Sequence, residues 1–231
     1  MERIPEPELM EKKEQVISYD EADFSEGEVN LINQINHYLL RNNISLGEND
    51  LIVDLGCGPG NISEKLAIKW PHTEVFGIDG SKEMIMRAEH NKKISANQKK
   101  LKNLNYICSD IKYIKSNNFL PKKKISLLVS NSLIHHITHL EDFFKAITIL
   151  SSDITVNFHK DLKRPLNEKS ALELKAQCST KYNEILTNDY YASLRASYTF
   201  KELKNFTLEN DLSSLDVFED GDKYLILYGN V

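Results

Sequence analysis

Apolar and polar residues along this chain follow two periods, and the switches between them outline its elements. Five short runs, 51–55, 73–78, 105–108, 125–129 and 154–158, are rich in Ile, Val, Leu and aromatic residues and read as strands. Between them the period lengthens. Val29, Ile32, Ile35, Leu39 and Leu40 form one stripe of a helix over 29–40, ended by Asn42, Asn43 and Gly47. A helix over 61–69 stops at Pro71, and another over 82–93, with Ser81 as N-cap, turns Met84, Ile85 and Ala88 inward. Residues 140–150 form a further helix. Thr199-Phe-Lys-Glu202 is a capping box that opens a helix to about residue 209. Two closely spaced runs, 215–218 and 223–228, flank Asp220-Gly-Asp222 and predict a hairpin.

Strands alternating with helices imply an α/β fold, a three-layer sandwich around a mostly parallel sheet. The hairpin makes the strand count seven, with the last strand antiparallel. Residues 160–198 lack strand character and read as a helical insertion, placed where it can cap a substrate site. The predicted organisation is an acidic amino-terminal arm or lid over 1–28 and a single domain over 29–231.

Composition narrows the class. The chain has 231 residues, 41% apolar and 27% charged, which are values for one globular domain. No apolar run approaches a membrane span, and Met1-Glu-Arg-Ile-Pro-Glu-Pro7 lacks a signal-peptide core. Cys57, Cys108 and Cys178 are odd in number and widely spaced, so neither a disulfide framework nor a metal-ligand spacing is present. A reducing, cytoplasmic setting follows. Net charge is −5, but residues 1–28 hold ten acids against Arg3, Lys12 and Lys13 and account for −7. An acidic arm on a nearly neutral body does not advertise nucleic-acid binding. Tyr19 and Phe24 give the arm something with which to dock.

The most informative stretch is Leu51-Ile-Val-Asp-Leu-Gly-Cys-Gly-Pro-Gly60, where three of nine glycines fall within five residues behind a buried strand. Glycine is needed where backbone turns through positive φ or where a ligand lies on bare main chain. The helix behind the loop offers unpaired N–H groups. A dinucleotide loop would carry its third glycine at residue 61, which is Asn. The pattern Asp54-x-Gly56-x-Gly58-x-Gly60 resembles motif I of the class I S-adenosylmethionine (AdoMet) methyltransferases, and the resemblance covers about residues 50–158.

That resemblance implies a seven-stranded class I sheet, AdoMet as cofactor, and a site beyond the carboxyl ends of the strands. Its cofactor residues would be Asp54, Gly56, Cys57, Gly58 and Gly60 in the loop, Asp79 and Gly80 after strand two, Asp110 and Ile111 after strand three, and Ser130 and Asn131 after strand four. Asp79, 21 residues beyond Gly58, would accept the ribose hydroxyls, and Asp110 the adenine amino group. Any one of these acids alone is an ordinary loop acid; three at successive strand ends behind a glycine loop are not. Ser130-Asn-Ser-Leu-Ile-His-His-Ile137 resembles the stretch after strand four in small-molecule methyltransferases. Two departures stand out: the Leu-Lys-Pro-Gly-Gly type turn before strand five is Leu150-Ser-Ser-Asp153, and no Asp/Asn-Pro-Pro-aromatic signature of amino-methylating enzymes is present.

Methyl transfer asks mainly for alignment in a dry site, with a base only where the acceptor must lose a proton. His136 and His135 are the candidate catalytic residues, with His139 and His159 nearby; adjacent residues are expected not to point inward together, and each imidazole has an ordinary structural role as alternative. No H-x-x-x-H pair suggests a metal. Tyr19, Asp161, Arg164, Tyr191 and Arg195 are candidate substrate contacts, although the aromatic residues of the insertion equally suit gluing it to the core. Ten lysines in 92–124 face a single acid, Asp110; most sit in loops at the sheet end opposite the site and read as a solvated face. The leading expectation is methylation of a small molecule. An RNA-modifying enzyme and a non-catalytic accessory subunit are the alternatives.

Overall fold

The computed structural model describes every residue except Glu8, Ala96, Gln98 and Lys99, so Glu8 of the acidic segment and Lys99 of the lysine run lie outside the described residues. Seven strands form one sheet: β1 (Asp50–Leu55), β2 (Glu74–Asp79), β3 (Leu104–Cys108), β4 (Lys124–Asn131), β5 (Val156–Leu162), β6 (Leu215–Asp220) and β7 (Tyr224–Gly229). Their order is β3-β2-β1-β4-β5-β7-β6. The first five are parallel, and β7 runs antiparallel to both β5 and β6. The order reverses beside β1, which places a crevice at the carboxyl ends of β1 and β4.

Among the described residues eight α-helices accompany the strands: α1 (Lys13–Asp20), α2 (Ser25–Arg41), α3 (Asn61–Lys69), α4 (Lys82–Ile94), α5 (Leu140–Leu150), α6 (Glu168–Ser179), α7 (Glu184–Ala196) and α8 (Phe200–Glu209). Strand side chains alternate between two cores. Leu51, Val53 and Leu55 pack with Phe143, Ile147 and Leu203 of α5 and α8. Ile52, Leu127 and Val129 pack with Leu31, Ile35, Ile62 and Leu66 of α2 and α3. Both faces are covered, as a parallel sheet requires. Among the described residues no helix is long and apolar enough to cross a membrane.

Three expectations need correction. The apolar stripe of α2 is rotated: Leu31 is buried, whereas Val29 and Leu40 are exposed. Leu31, Ile35 and Leu39 make an i, i+4 row along the inner face, and Val29, two positions before Leu31, falls on the other side of the helix. The helix also begins at Ser25 rather than 29. Strand five runs on to Leu162, and Ile154, expected to open it, is exposed and precedes it. Its polar members Asn157, His159, Lys160 and Asp161 are all buried with partners, and the last three, beyond the predicted end at 158, are too polar to read as strand in the sequence. The helical insertion therefore begins after β5, as α6 and α7. The Thr199–Glu202 capping box is present, each partner bonding the other's backbone N–H.

The acidic arm contains α1 and is tied down along its length. Asp20 binds Arg87 and Asn91 of α4, Ser18 and Gln15 reach Asn183 and Asp189 at α7, and Tyr19, Phe24 and Tyr182 form an aromatic chain.

Candidate functional site

The loop after β1 is bent by three left-handed glycines, Gly56, Gly58 and Gly60, with φ of 65°, 52° and 94°. The amides of Gly56 and Cys57 both donate to the Ile78 carbonyl of β2. A side chain on Gly60 would fall 2.2 Å from the Tyr106 hydroxyl oxygen, whereas one on Gly58 would meet only Met84, at 4.0 Å. Gly60 thus serves the turn, and Gly58 presents bare main chain to open space, the feature a bound ligand exploits. The Cys57 thiol is buried, and that burial pushes its pKa well up, so it is no nucleophile.

Three carboxylates stand around this loop on the adjacent strands β1, β2 and β3. Asp54 is buried and accepts from Ser63 Oγ of α3 at 2.6 Å; burial pushes its pKa up to about 7. Asp79 accepts from the Gly58 amide at 2.9 Å and from the Ser81 amide at 2.8 Å, and burial again raises its pKa. It holds the loop of β1 against the start of α4. Ser81 caps α4 by accepting from the Met84 amide. Asp110 is half-buried and caps the 3-10 turn Ile111–Tyr113 through the Lys112 amide, with Ile111 buried beneath. The arm lies across this region: Leu9 sits against Gly80, and Ser81 Oγ donates to the Met10 carbonyl at 2.7 Å.

Beyond β4 the chain makes a 3-10 turn, Ile134–His136. Ser130 is fully buried and meets His159 Nδ1 at 2.9 Å, while Asn131 is half-buried at the strand end. Asp161, on β5, is the organiser of this corner. One carboxylate oxygen accepts from the amides of Ile134 and His135; the other lies 2.5 Å from His135 Nδ1 and accepts from the Leu162 amide at 2.6 Å. Sequence reasoning placed Asp161 in the insertion, near substrate; it is a buried strand residue that fixes the His135 ring.

Adjacent histidines were expected not to point inward together, and the structure corrects this. The rings of His135 and His136 lie 4.3 Å apart and both face Glu6 of the arm. A 3-10 turn held at its amides by Asp161 brings neighbouring side chains close enough to share a partner. Glu6 Oε1 is 3.6 Å from His135 Nε2 and 3.3 Å from His136 Nδ1, and it accepts from Ser193 of α7 at 3.0 Å. Burial opposes charge on His135, but Asp161 and Glu6 outweigh it and leave the pKa raised. Burial and the neighbouring His135 push His136 down to about 3. Burial raises the pKa of Glu6.

The other candidates are dispersed. His159 is buried between Ser130 and Asn157, and burial holds its pKa down at about 3. His139 is exposed ahead of α5. Arg164 is occupied by Glu202 of the α8 capping box, at 2.5 Å, and by the Ser197 carbonyl. Tyr191 bonds Glu168 across the outside of the insertion and carries Lys175 and Arg195 on its ring. Arg164 and Tyr191 are thus held by partners in and beside the insertion, whereas Arg195 lies against Tyr191 of its own helix with its buried Nε unpartnered among the described residues. Tyr19 is half-buried with its ring against Phe24, and burial together with the charges of Glu28, Asp79 and Asp161 raises its pKa. Of the lysines, Lys123 and Lys124 pair with Glu74 and Asp50 at the amino ends of β2 and β1, the end of the sheet away from the loop.

Two residues that sequence reasoning missed are Glu6 and Arg3. Arg3 stacks over Tyr198 at 4.0 Å and donates to the carbonyls of His135, Ile137 and Ala196. The only signal in the chain is that both are polar residues flanking apolar Ile4 and prolines 5 and 7.

Comparison with known proteins fits this geometry. A family model described as "Methyltransferase domain" matches residues 46–195. The trans-aconitate 2-methyltransferase of Escherichia fergusonii is 30% identical over 103 residues, 44% of this chain and 35% of that protein. That of Afipia carboxidovorans is 51% identical over 37 residues, 16% of this chain and 14% of that protein. The matches thus span about a third or less of the length of these curated relatives. Among solved structures, the plantazolicin methyltransferase BpumL in complex with a pentazolic desmethylPZN analog and SAH superposes with a TM-score of 0.69 at 18% identity, covering 95% of this chain and 91% of that one. A SAM-dependent methyltransferase from Aquifex aeolicus gives 0.64 at 16% identity, over 95% and 98%. At such identities the likeness is one of fold. With the family model covering well over half of its length, the chain belongs to the methyltransferase domain family, with the seven-stranded class I fold.

Proposed function

We propose that this protein is an AdoMet-dependent methyltransferase acting on a small-molecule acceptor. The observation that carries the reading is Asp79, whose carboxylate draws the Gly58 and Ser81 amides together beside the bare, left-handed backbone of Gly58. Asp79 would hold the ribose, Asp110 and the Ile111 amide the adenine, and the loop of Gly56, Gly58 and Gly60 the methionine end. Bound AdoMet supplies an electrophilic methyl group on a sulfonium. The protein's own part is to position the acceptor and exclude water.

The roof over the site supports a small acceptor. Arg3, Glu6, Leu9 and Met10 of the arm bond or pack onto the 3-10 turn after β4, α7 and the end of β2. In this reading residues 1–28 act as a lid, residues 29–231 form the methyltransferase domain, and α6–α7 cap the acceptor. An acceptor enclosed beneath such a roof is a free molecule rather than a polymer, and the paired lysines at the far end of the sheet supply no route for nucleic acid to the loop. The three free cysteines suit a cytoplasmic setting.

The test is calorimetric titration with AdoMet and S-adenosylhomocysteine, followed by transfer of labelled methyl to a panel of small acids, amines and phenols. Binding of both cofactor forms, weakened about 100-fold or more in Asp79→Ala with the fold retained, is expected, since two charge-assisted hydrogen bonds are lost. No binding by the wild type, or unchanged binding by the variant, refutes the proposal; binding without transfer to any acceptor points to an accessory role.

A further inference from the structure

We propose that Glu6, His135 and His136 form a site for a divalent first-row metal ion of the zinc type, which staples the amino-terminal arm to the body of the protein. Among the described residues these three present ligand atoms that all lie within 4.8 Å of one another. The spacing suits an ion. A tetrahedral site with metal–ligand bonds of about 2.0–2.1 Å separates neighbouring ligand atoms by roughly 3.4 Å. Glu6 Oε1 lies 3.6 Å from His135 Nε2 and 3.3 Å from His136 Nδ1.

Two further observations point to a ligand. His136 Nδ1 is buried and makes no hydrogen bond, although Glu6 Oε1 lies 3.3 Å away. A buried nitrogen lone pair without a proton donor is costly unless something occupies it. His135 is oriented as metal-binding histidines are: its Nδ1 faces the Asp161 carboxylate at 2.5 Å, which directs Nε2 toward Glu6. Asp161 is itself held by the Ile134, His135 and Leu162 amides, so the orienting carboxylate cannot swing away.

Two imidazoles and one carboxylate select zinc-like ions over magnesium or calcium, which prefer all-oxygen shells. Three protein ligands leave a fourth vertex for water or another oxygen ligand. Both ligating nitrogens must be free of protons, so binding releases to solvent any proton carried by His135 Nε2. Because Glu6 comes from the arm and both histidines from the turn after β4, the ion closes the roof over the strand ends. This inference is independent of the methyl-transfer reading.

The experiment is titration of the full chain with Zn²⁺ against a chromogenic chelator, and with Co²⁺ followed by visible absorption. One equivalent of each is expected to bind, Co²⁺ giving the intense visible bands of a tetrahedral site. Glu6→Gln, on the arm and away from the cores, should lose these bands and bind Zn²⁺ more weakly than Asp161→Asn, for which a loss of about 10–100-fold is expected of an orienting partner. Zn²⁺ should slow tryptic cleavage at Lys12–Lys13 in the wild type and leave Glu6→Gln unaffected. His136→Ala, its fold checked by circular dichroism, provides the second ligand test. Failure to bind one equivalent, or unchanged affinity in Glu6→Gln and His136→Ala, overturns the proposal.

Discussion

Gly60→Ala tests how the glycine loop is held. Gly60 has φ of 94°, in the left-handed region, where an L side chain costs about 1–2 kcal/mol. The added carbon would lie 2.2 Å from the Tyr106 hydroxyl oxygen and 2.9 Å from the ring carbon that bears it, with Ala88 at 3.3 Å. Tyr106 is pinned in turn, because its ring packs over Gly77 of β2 and cannot retreat across the sheet. Overpacking of this kind costs about 1–3 kcal/mol. The sum, about 2–5 kcal/mol, corresponds to a melting temperature lower by roughly 5–15 °C for a chain of this size. The strain falls on the loop, so AdoMet affinity should drop by more than about 10-fold even where the chain stays folded.

The two contributions separate in a double-mutant cycle. Tyr106→Phe removes the nearest clashing atom and leaves the φ penalty untouched. Its own loss is small, since the hydroxyl reaches the Gly60 carbonyl only at 3.5 Å. Gly60→Ala in the Tyr106→Phe background should therefore be milder by about 1 kcal/mol, measured by urea denaturation. Strict additivity would show that Tyr106 does not confine the loop. Gly60→Ala with unchanged stability and unchanged AdoMet binding would refute the whole account of the loop.

Asp54, with its pKa lifted to about 7 from an ordinary 3.8, makes folding stability fall as pH rises from about 4 to 7, because the folded chain holds a proton that the unfolded chain releases. The penalty at pH 8 has a ceiling of about 4 kcal/mol, roughly three pKa units, and Asp54→Asn should remove it; parallel urea-stability profiles for the two proteins across that window would exclude the assignment. Thr199→Ala breaks the capping box of α8 and should lower stability by about 1 kcal/mol while leaving AdoMet binding as it was; an effect on binding would mean that α8 is coupled to the loop.

The parts of this molecule that were legible in the sequence are those whose signals are local. Glycines at 56, 58 and 60 behind an apolar strand, Asp79 and Asp110 at the next strand ends, and Thr199 with Glu202 each declare themselves within a few residues. That the sheet is mostly parallel and covered on both faces follows from the alternation of strands and helices. Where the environment decides, the pattern misleads. His159, Lys160 and Asp161 did not read as strand because polar strand residues are rare, yet each has a partner from another element, Ser130, Asp220 and His135 in turn, that stabilises strand conformation there. The aromatic and basic residues of the insertion read as substrate contacts because of their chemistry, while their partners, Glu168 for Tyr191 and Glu202 for Arg164, already occupy them. Glu6 lies some 130 residues from the histidines it meets, on an acidic segment whose residues look interchangeable. Only the tertiary fold distinguishes it from its neighbours: Arg3 binds the carbonyls of the turn and Ser81 binds that of Met10, and the chain between them has to pass over His135 and His136. A carboxylate carried across two buried imidazoles is a consequence of how the arm is anchored at both ends, and no spacing rule within the sequence could have announced it.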